Sequence, residues 1–78
     1  MTPLRNLKRS HVIKAFQSLG FELDERRGKG SHAYLIHVED ESRVTSVPRR
    51  DPVAAGTLAN MLRQAKVSRA EFIRALGR

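Results

Sequence analysis

The chain has 78 residues, of which 40% are hydrophobic, no cysteine and a formal net charge of +7. A chain of this length builds one small domain, residues 1–78, and without cysteine its core is stabilised neither by disulfides nor by a thiolate metal site. No apolar stretch approaches the ~20 residues that span a bilayer, and no signal-peptide pattern follows the first basic residues, so we expect a cytoplasmic protein without a membrane partner.

The charge balance indicates a polyanionic partner. The chain contains fifteen Lys and Arg residues and eight Asp and Glu residues. The acidic residues cluster at positions 22–25 and 39–41. Basic residues lie instead at positions 26, 27, 29, 49 and 50. Such segregation favours a binding face for nucleic acid over a merely well-solvated basic surface, although charge alone leaves both interpretations open.

The first elements are a helix and a strand. The helix is predicted to begin near Ser10, an acceptable N-cap, and to end at Gly20. Its apolar residues at helical spacing form one stripe: Val12, Ile13, Phe16 and Leu19. Phe21 and Leu23 then alternate with acidic residues, a half-buried strand pattern that ends at the turn-forming residues 27–30.

Two further strands are predicted from β-branched and apolar residues. Residues 31–38 form the second strand, residues 39–42 a polar turn, and residues 43–47 a third strand that Pro48 ends. Alternation places His32, Tyr34, Ile36 and Val38 on one face, and Ala33, Leu35 and His37 on the other. We expect the helices to cover the Leu35 face, which leaves Ile36 and Val38 exposed.

Two helices are predicted at the end of the chain. After a connection over residues 49–56, a helix begins around Thr57 and buries Leu58, Met61, Leu62 and Ala65. Ser68 and Glu71 form a capping box for the last helix, which buries Phe72, Ile73 and Leu76. The order α-β-β-β-α-α predicts an α+β fold with helices on one face of a three-stranded antiparallel sheet.

Few residues could carry chemistry. His32 and His37 lie an odd number of residues apart on one strand, so they point to opposite faces and cannot share a metal ion. We therefore expect neither a metal site nor a cofactor. His11, in the first turn of the first helix, is interpreted as a solvated surface residue.

The sequence Gly28-Lys29-Gly30-Ser31 precedes His32. It lacks the Walker pattern, but glycine lets backbone N–H groups approach a single phosphate, and the Lys29 ammonium adds charge. Imidazole titrates near neutral pH, so His32 beside this loop is a candidate general acid or base for phosphodiester cleavage. A half-exposed strand histidine without a catalytic role is the alternative.

Several separated motifs resemble the HicA (YcfA-like) toxins along nearly the whole chain. They are Gly30-Ser31-His32, Val47-Pro48-Arg49, Gly56-Thr57-Leu58, Leu62-Arg63-Gln64-Ala65, and Ser68 with Glu71-Phe72. The resemblance implies a fold similar to a double-stranded-RNA-binding domain and a metal-independent mRNA interferase that depends on His32. It also implies a HicB-type antitoxin that covers the active face.

With this resemblance, the candidate RNA-binding residues are Lys29, Gly30, Ser31 and Arg49. Many members carry histidine after the Val-Pro-Arg sequence, where this chain has Arg50. A non-catalytic RNA-binding module explains the charge equally well. A helix-turn-helix drawn from the last two helices is disfavoured, because the final helix commits Phe72, Ile73 and Leu76 to the core.

Overall fold

The predicted order of one helix, three strands and two helices is confirmed. In a computed structural model, which describes residues 4, 6–25 and 33–77, the elements follow the chain in this order: α1 (Arg9–Ser18), β1 (Phe21–Asp24), β2 (Ala33–His37), β3 (Val44–Val47), α2 (Ala55–Ala65) and α3 (Arg69–Ala75). None of the described helices is long and apolar enough to span a bilayer.

Helix α1 begins one residue before the predicted N-cap. Ser10 lies inside the helix, and Lys8, in extended conformation, is the N-cap without a side-chain hydrogen bond. The prediction was wrong because the Arg9 amide is satisfied by the distant Asp51 carboxylate, at 3.0 Å, which no local pattern reveals. The end was predicted correctly, since Gly20 adopts φ +96°, a conformation that favours glycine.

The sheet is antiparallel with the order β1-β2-β3. Ala33 and Leu35 are 3% and 0% exposed on the face that packs against the helices. On the opposite face Tyr34 and Ile36 are half-buried, and Val38, just beyond β2, is 58% exposed. The prediction that the helices cover the Leu35 face is confirmed.

Strand boundaries are shorter than predicted. Of the predicted residues 31–38, the described strand β2 contains 33–37, and residues 31 and 32 lie outside the described part of the chain. Strand β3 begins at Val44 rather than Arg43. Arg43 instead donates from Nε to the Ala65 carbonyl at 2.9 Å and from a terminal nitrogen to that of Lys66 at 3.2 Å. It thereby joins the start of β3 to the end of α2.

Helix α2 begins at Ala55, before the predicted Thr57. Its first turn closes when the Leu58 amide donates to the Ala54 carbonyl at 2.9 Å. Glycine inside a helix costs ~1 kcal/mol relative to alanine, so the position of Gly56 in this first turn shows that local propensity does not decide where α2 begins. The predicted inner face is confirmed, since Leu58, Met61, Leu62 and Ala65 are all buried.

Helix α3 starts with the predicted capping box. The Glu71 amide donates to Ser68 Oγ at 3.1 Å, and the Ser68 amide donates to Glu71 Oε1 at 3.0 Å. Phe72 is fully buried, whereas Ile73 and Leu76 are partly buried at the core margin. The Phe72 ring lies 5.4 Å from Phe16, and Phe16 packs edge-on against Phe21 at 5.3 Å. These rings join α3, α1 and β1 in one core.

Candidate functional site

The predicted site residues fall into two groups. His32, Lys29, Gly30 and Ser31 lie outside the described residues. Arg49 is described, and it is exposed together with the following Arg50. The described part of the candidate site therefore consists of Arg49, the neighbouring Arg50 and the residues that hold them.

Strand pairing places the start of β2 and the exit from β3 at one end of the sheet. Ala33, the first residue of β2, pairs with Val47, the last residue of β3. Pro48 and Arg49 follow Val47 directly, and His32 is bonded to Ala33. Because the strands run antiparallel, the start of β2 and the exit of β3 lie at the same end of the sheet.

Arg49 and Arg50, which we call the basic segment, are held from both sides by Arg9. The Arg9 Nε donates to the carbonyl of Pro48 at 2.8 Å, immediately before the segment. The Arg9 amide donates to Oδ1 of Asp51 at 3.0 Å, immediately after it. Two bonds from one residue thus bracket the exposed guanidinium groups.

A second contact anchors the connection a few residues further on. The Val53 amide donates to the Leu7 carbonyl at 2.8 Å, as an isolated antiparallel bridge. Val53 is 1% exposed, so its side chain is part of the core. Sequence patterns did not predict Arg9, Asp51 or this bridge, because the partners lie about 40 positions apart and follow no local motif.

Charge is segregated along the β2 and β3 pair. The turn between the strands carries Glu39, Asp40 and Glu41, all exposed, whereas the basic segment lies at the opposite end. Ser42 donates to Asp40 Oδ1 from its hydroxyl at 2.6 Å and its amide at 3.0 Å. These bonds lower the pKa of Asp40 below its ordinary value. Within the acidic turn Asp40 is thus paired with Ser42, and the turn lies at the opposite end of the strand pair from the basic segment.

The two described histidines have structural or surface positions. His11 is exposed on α1, as predicted. The His37 ring packs edge-on against Phe21 at 5.0 Å, and its Nδ1 accepts from the Glu39 amide at 3.1 Å. His37 thus belongs to the helix-covered side of the sheet. Among the described residues, no group of three or more His, Asp or Glu is arranged to hold a metal ion.

Comparison with known families gives one finding. The family model described as the HicA toxin of bacterial toxin–antitoxin systems matches residues 9–67, more than half of the chain. The matched range extends from the first residue of α1 to Val67 and therefore includes the basic segment and the Gly30-Ser31-His32 sequence. The comparison with curated proteins gave no match.

Proposed function

Because the chain belongs to the HicA family of toxins of bacterial toxin–antitoxin systems, we propose that it is a metal-independent endoribonuclease that cleaves mRNA. In this proposal His32 acts as general acid or base, and Lys29, Gly30, Ser31 and Arg49 bind the RNA. The observation that carries the proposal is the family match over residues 9–67, which contains all five of these residues.

The arrangement of the described strands supports the pairing of His32 with Arg49. His32 directly precedes Ala33 in the sequence, and Ala33 pairs with Val47. Arg49 is the second residue after Val47 and is exposed. A phosphate bound by the Arg49 guanidinium would therefore lie at the end of the sheet where β2 begins, and His32 directly precedes β2 in the sequence.

The proposed reaction uses the 2′-hydroxyl of the RNA itself. A base removes the proton of this hydroxyl, its oxygen forms a bond to the adjacent phosphorus, and the bond to the 5′-oxygen breaks. The leaving oxygen takes up a proton from an acid. The products carry a 2′,3′-cyclic phosphate and a 5′-hydroxyl. A positioned histidine contributes ~100- to 10,000-fold to such a transfer, and Arg49 would stabilise the charge on the phosphorane.

The first prediction tests His32. We expect His32→Ala to lower the cleavage rate of a labelled single-stranded transcript at least ~100-fold, because the proton-transfer group is lost. The melting temperature should stay near that of the unsubstituted protein. Cleavage in EDTA and the product ends are measured on the same preparation.

His11→Ala is the matched control, since it removes an exposed imidazole from α1. It should cleave normally. A folded His32→Ala protein that cuts RNA at the normal rate would remove the catalytic assignment. Intact RNA with the unsubstituted protein would instead favour the second candidate, a non-catalytic RNA-binding module, which the exposed basic segment would serve equally well.

Membership of a toxin–antitoxin family implies an antitoxin partner. We propose that this partner is of the HicB type and covers the active face. The sheet face opposite the helices supports this, because Tyr34, Ile36 and Val38 leave apolar surface there that no described element covers.

A further inference from the structure

We propose that Arg9 is a positioning residue, which holds the basic segment in the conformation that binds RNA. The inference rests on the proposed function only in taking RNA as the ligand of Arg49 and Arg50. Arg9 lies at the first position of α1, whereas the segment follows β3. Arg9 is thus the point at which the helix and the segment are connected by hydrogen bonds.

The geometry separates a holding role from a contacting role. The Arg9 Nε is committed to the Pro48 carbonyl at 2.8 Å in a partly buried bond. Arg49 and Arg50 make up the exposed charge next to it. Arg9 therefore acts on RNA through the segment, and the guanidinium groups of Arg49 and Arg50 make the contacts.

Asp51 supplies the other half of the arrangement. A carboxylate beside a polyanion-binding segment weakens binding by repulsion. In this position, however, its Oδ1 accepts from the first amide of α1 at 3.0 Å, where a negative charge also favours the helix terminus. We therefore infer that Asp51 supports RNA binding through its acceptor oxygen, which holds the basic segment, although its negative charge repels the RNA.

The segment needs such contacts because residues 48–52 lie outside the helices and strands. Without the bond to Pro48, the backbone around Arg49 and Arg50 would sample more conformations. Binding would then have to order these residues, at a cost in conformational entropy. Arg9 reduces this cost before RNA arrives.

Two substitutions at Arg9 separate the hydrogen bond from the charge. The Nε2 of Gln is the same number of bonds from Cα as the Nε of Arg, so Arg9→Gln keeps a donor and loses the charge. Arg9→Lys keeps the charge but has a methylene group at the position of Nε, so it loses the donor at that position. The probe is a single-stranded 2′-O-methyl RNA, which lacks the attacking hydroxyl, so that binding is measured independently of cleavage.

We expect Arg9→Lys to raise the Kd about fivefold, the factor that corresponds to one ordinary hydrogen bond. Arg9→Gln should stay within about twofold of the unsubstituted protein, and Arg49→Ala should weaken binding through loss of a phosphate contact. The reverse order, with Gln weaker than Lys, would show that Arg9 acts by charge. Equal effects of both substitutions, or no binding by the unsubstituted protein, would also overturn the inference.

Asp51 provides an independent pair of variants. Asp51→Asn and Asp51→Ala remove the same charge, but only Asn retains Oδ1 as an acceptor. Repulsion alone predicts that both variants bind the probe equally and more tightly than the unsubstituted protein. The inference predicts that the Ala variant binds severalfold more weakly than the Asn variant. Equal Kd values would overturn it.

Trypsin provides a readout that needs no RNA. We expect faster cutting after Arg49 and Arg50 in Arg9→Lys and an unchanged rate in Arg9→Gln, with the fragments identified by mass. Cutting after Arg63, within α2, reports global unfolding and serves as internal control. Unchanged cutting in Arg9→Lys would overturn the holding role.

If these effects appear but RNA is never cleaved, the proposed ribonuclease function fails while the positioning role stands.

Discussion

At the scale of single residues, Thr45 shows how a buried polar group is accommodated. Among the described residues it is the buried polar side chain, at 2% exposure, and it lies on β3. Its hydroxyl donates to Gln64 Oε1 on α2 at 2.8 Å. A further contact to the Ser46 carbonyl measures 3.5 Å, which is too long to replace this bond. This directed bond therefore joins the strand to the helix in addition to apolar packing.

Thr45 is buried whereas its partner Gln64 is exposed, and this difference leads to the second prediction. Gln64→Ala should lower the free energy of unfolding by ~1–3 kcal/mol, since it leaves the Thr45 hydroxyl buried without a good acceptor. Thr45→Val should cost less than ~1 kcal/mol, because it removes the buried hydroxyl, and the exposed Gln64 amide can bind water. Urea unfolding measures both. A larger loss for Thr45→Val than for Gln64→Ala would contradict this account.

At the scale of elements, α3 depends on its capping box because it is short. The helix spans Arg69–Ala75, and isolated helices of this length are unstable in water. The Ser68 amide and then its hydroxyl stabilise the ionised Glu71 and lower the pKa of this carboxyl below its ordinary value of 4.5. Positive charges on Arg43 and Arg74 act in the same direction.

This shift gives the third prediction, on pH. A carboxyl whose pKa is lower in the folded state contributes stability above its unfolded pKa, and this contribution is lost as pH falls through the folded value. The melting temperature of Glu71→Gln should therefore be below that of the unsubstituted protein at pH 7, and the difference should shrink below pH 4.5. Glu22→Gln, exposed on β1, is the charge-matched control. A difference that stays constant down to pH 2 would exclude the proposed linkage.

At the scale of the whole molecule, the helices cover one face of the sheet and leave the other open. The core joins all three helices through Phe16, Phe72 and Leu58, each 0–1% exposed. The open face carries the half-buried Tyr34 and Ile36 and the exposed Val38. The basic segment borders the end of the same sheet. A protein that covered this face and this end together would block access of RNA to the proposed site.

The fourth prediction concerns this face and the antitoxin. Val38→Ser should weaken antitoxin binding about fivefold, because less apolar side-chain surface is removed from water in the complex. The binding free energy becomes less favourable by ~1 kcal/mol. Stability should change little, since Val38 is 58% exposed. Ala59→Ser, at an exposed position of α2, is the control. Calorimetry with the purified antitoxin measures both affinities, and equal values would place the interface on another surface.

The candidate site was predictable only in part from the sequence. The sequence predicted that Arg49 and Arg50 lie in the connection after the third strand and belong to a basic binding face. His32, Lys29, Gly30 and Ser31 remain predictions, because they lie outside the described residues. Arg9 was not predicted at all, since its hydrogen bonds join residues 39 and 42 positions apart.

The sequence by itself determined the elements, because their signals are local. Alternation predicted β1, and β-branched and apolar residues predicted β2 and β3. Apolar spacing predicted the buried faces of α1 and α2, and Ser68 with Glu71 predicted the start of α3. The tertiary structure alone decided which partners meet: Arg9 with Pro48 and Asp51, Arg43 with Ala65, and Thr45 with Gln64. These bonds join segments 19 or more positions apart, so their partners become neighbours only after the helices have packed on the sheet.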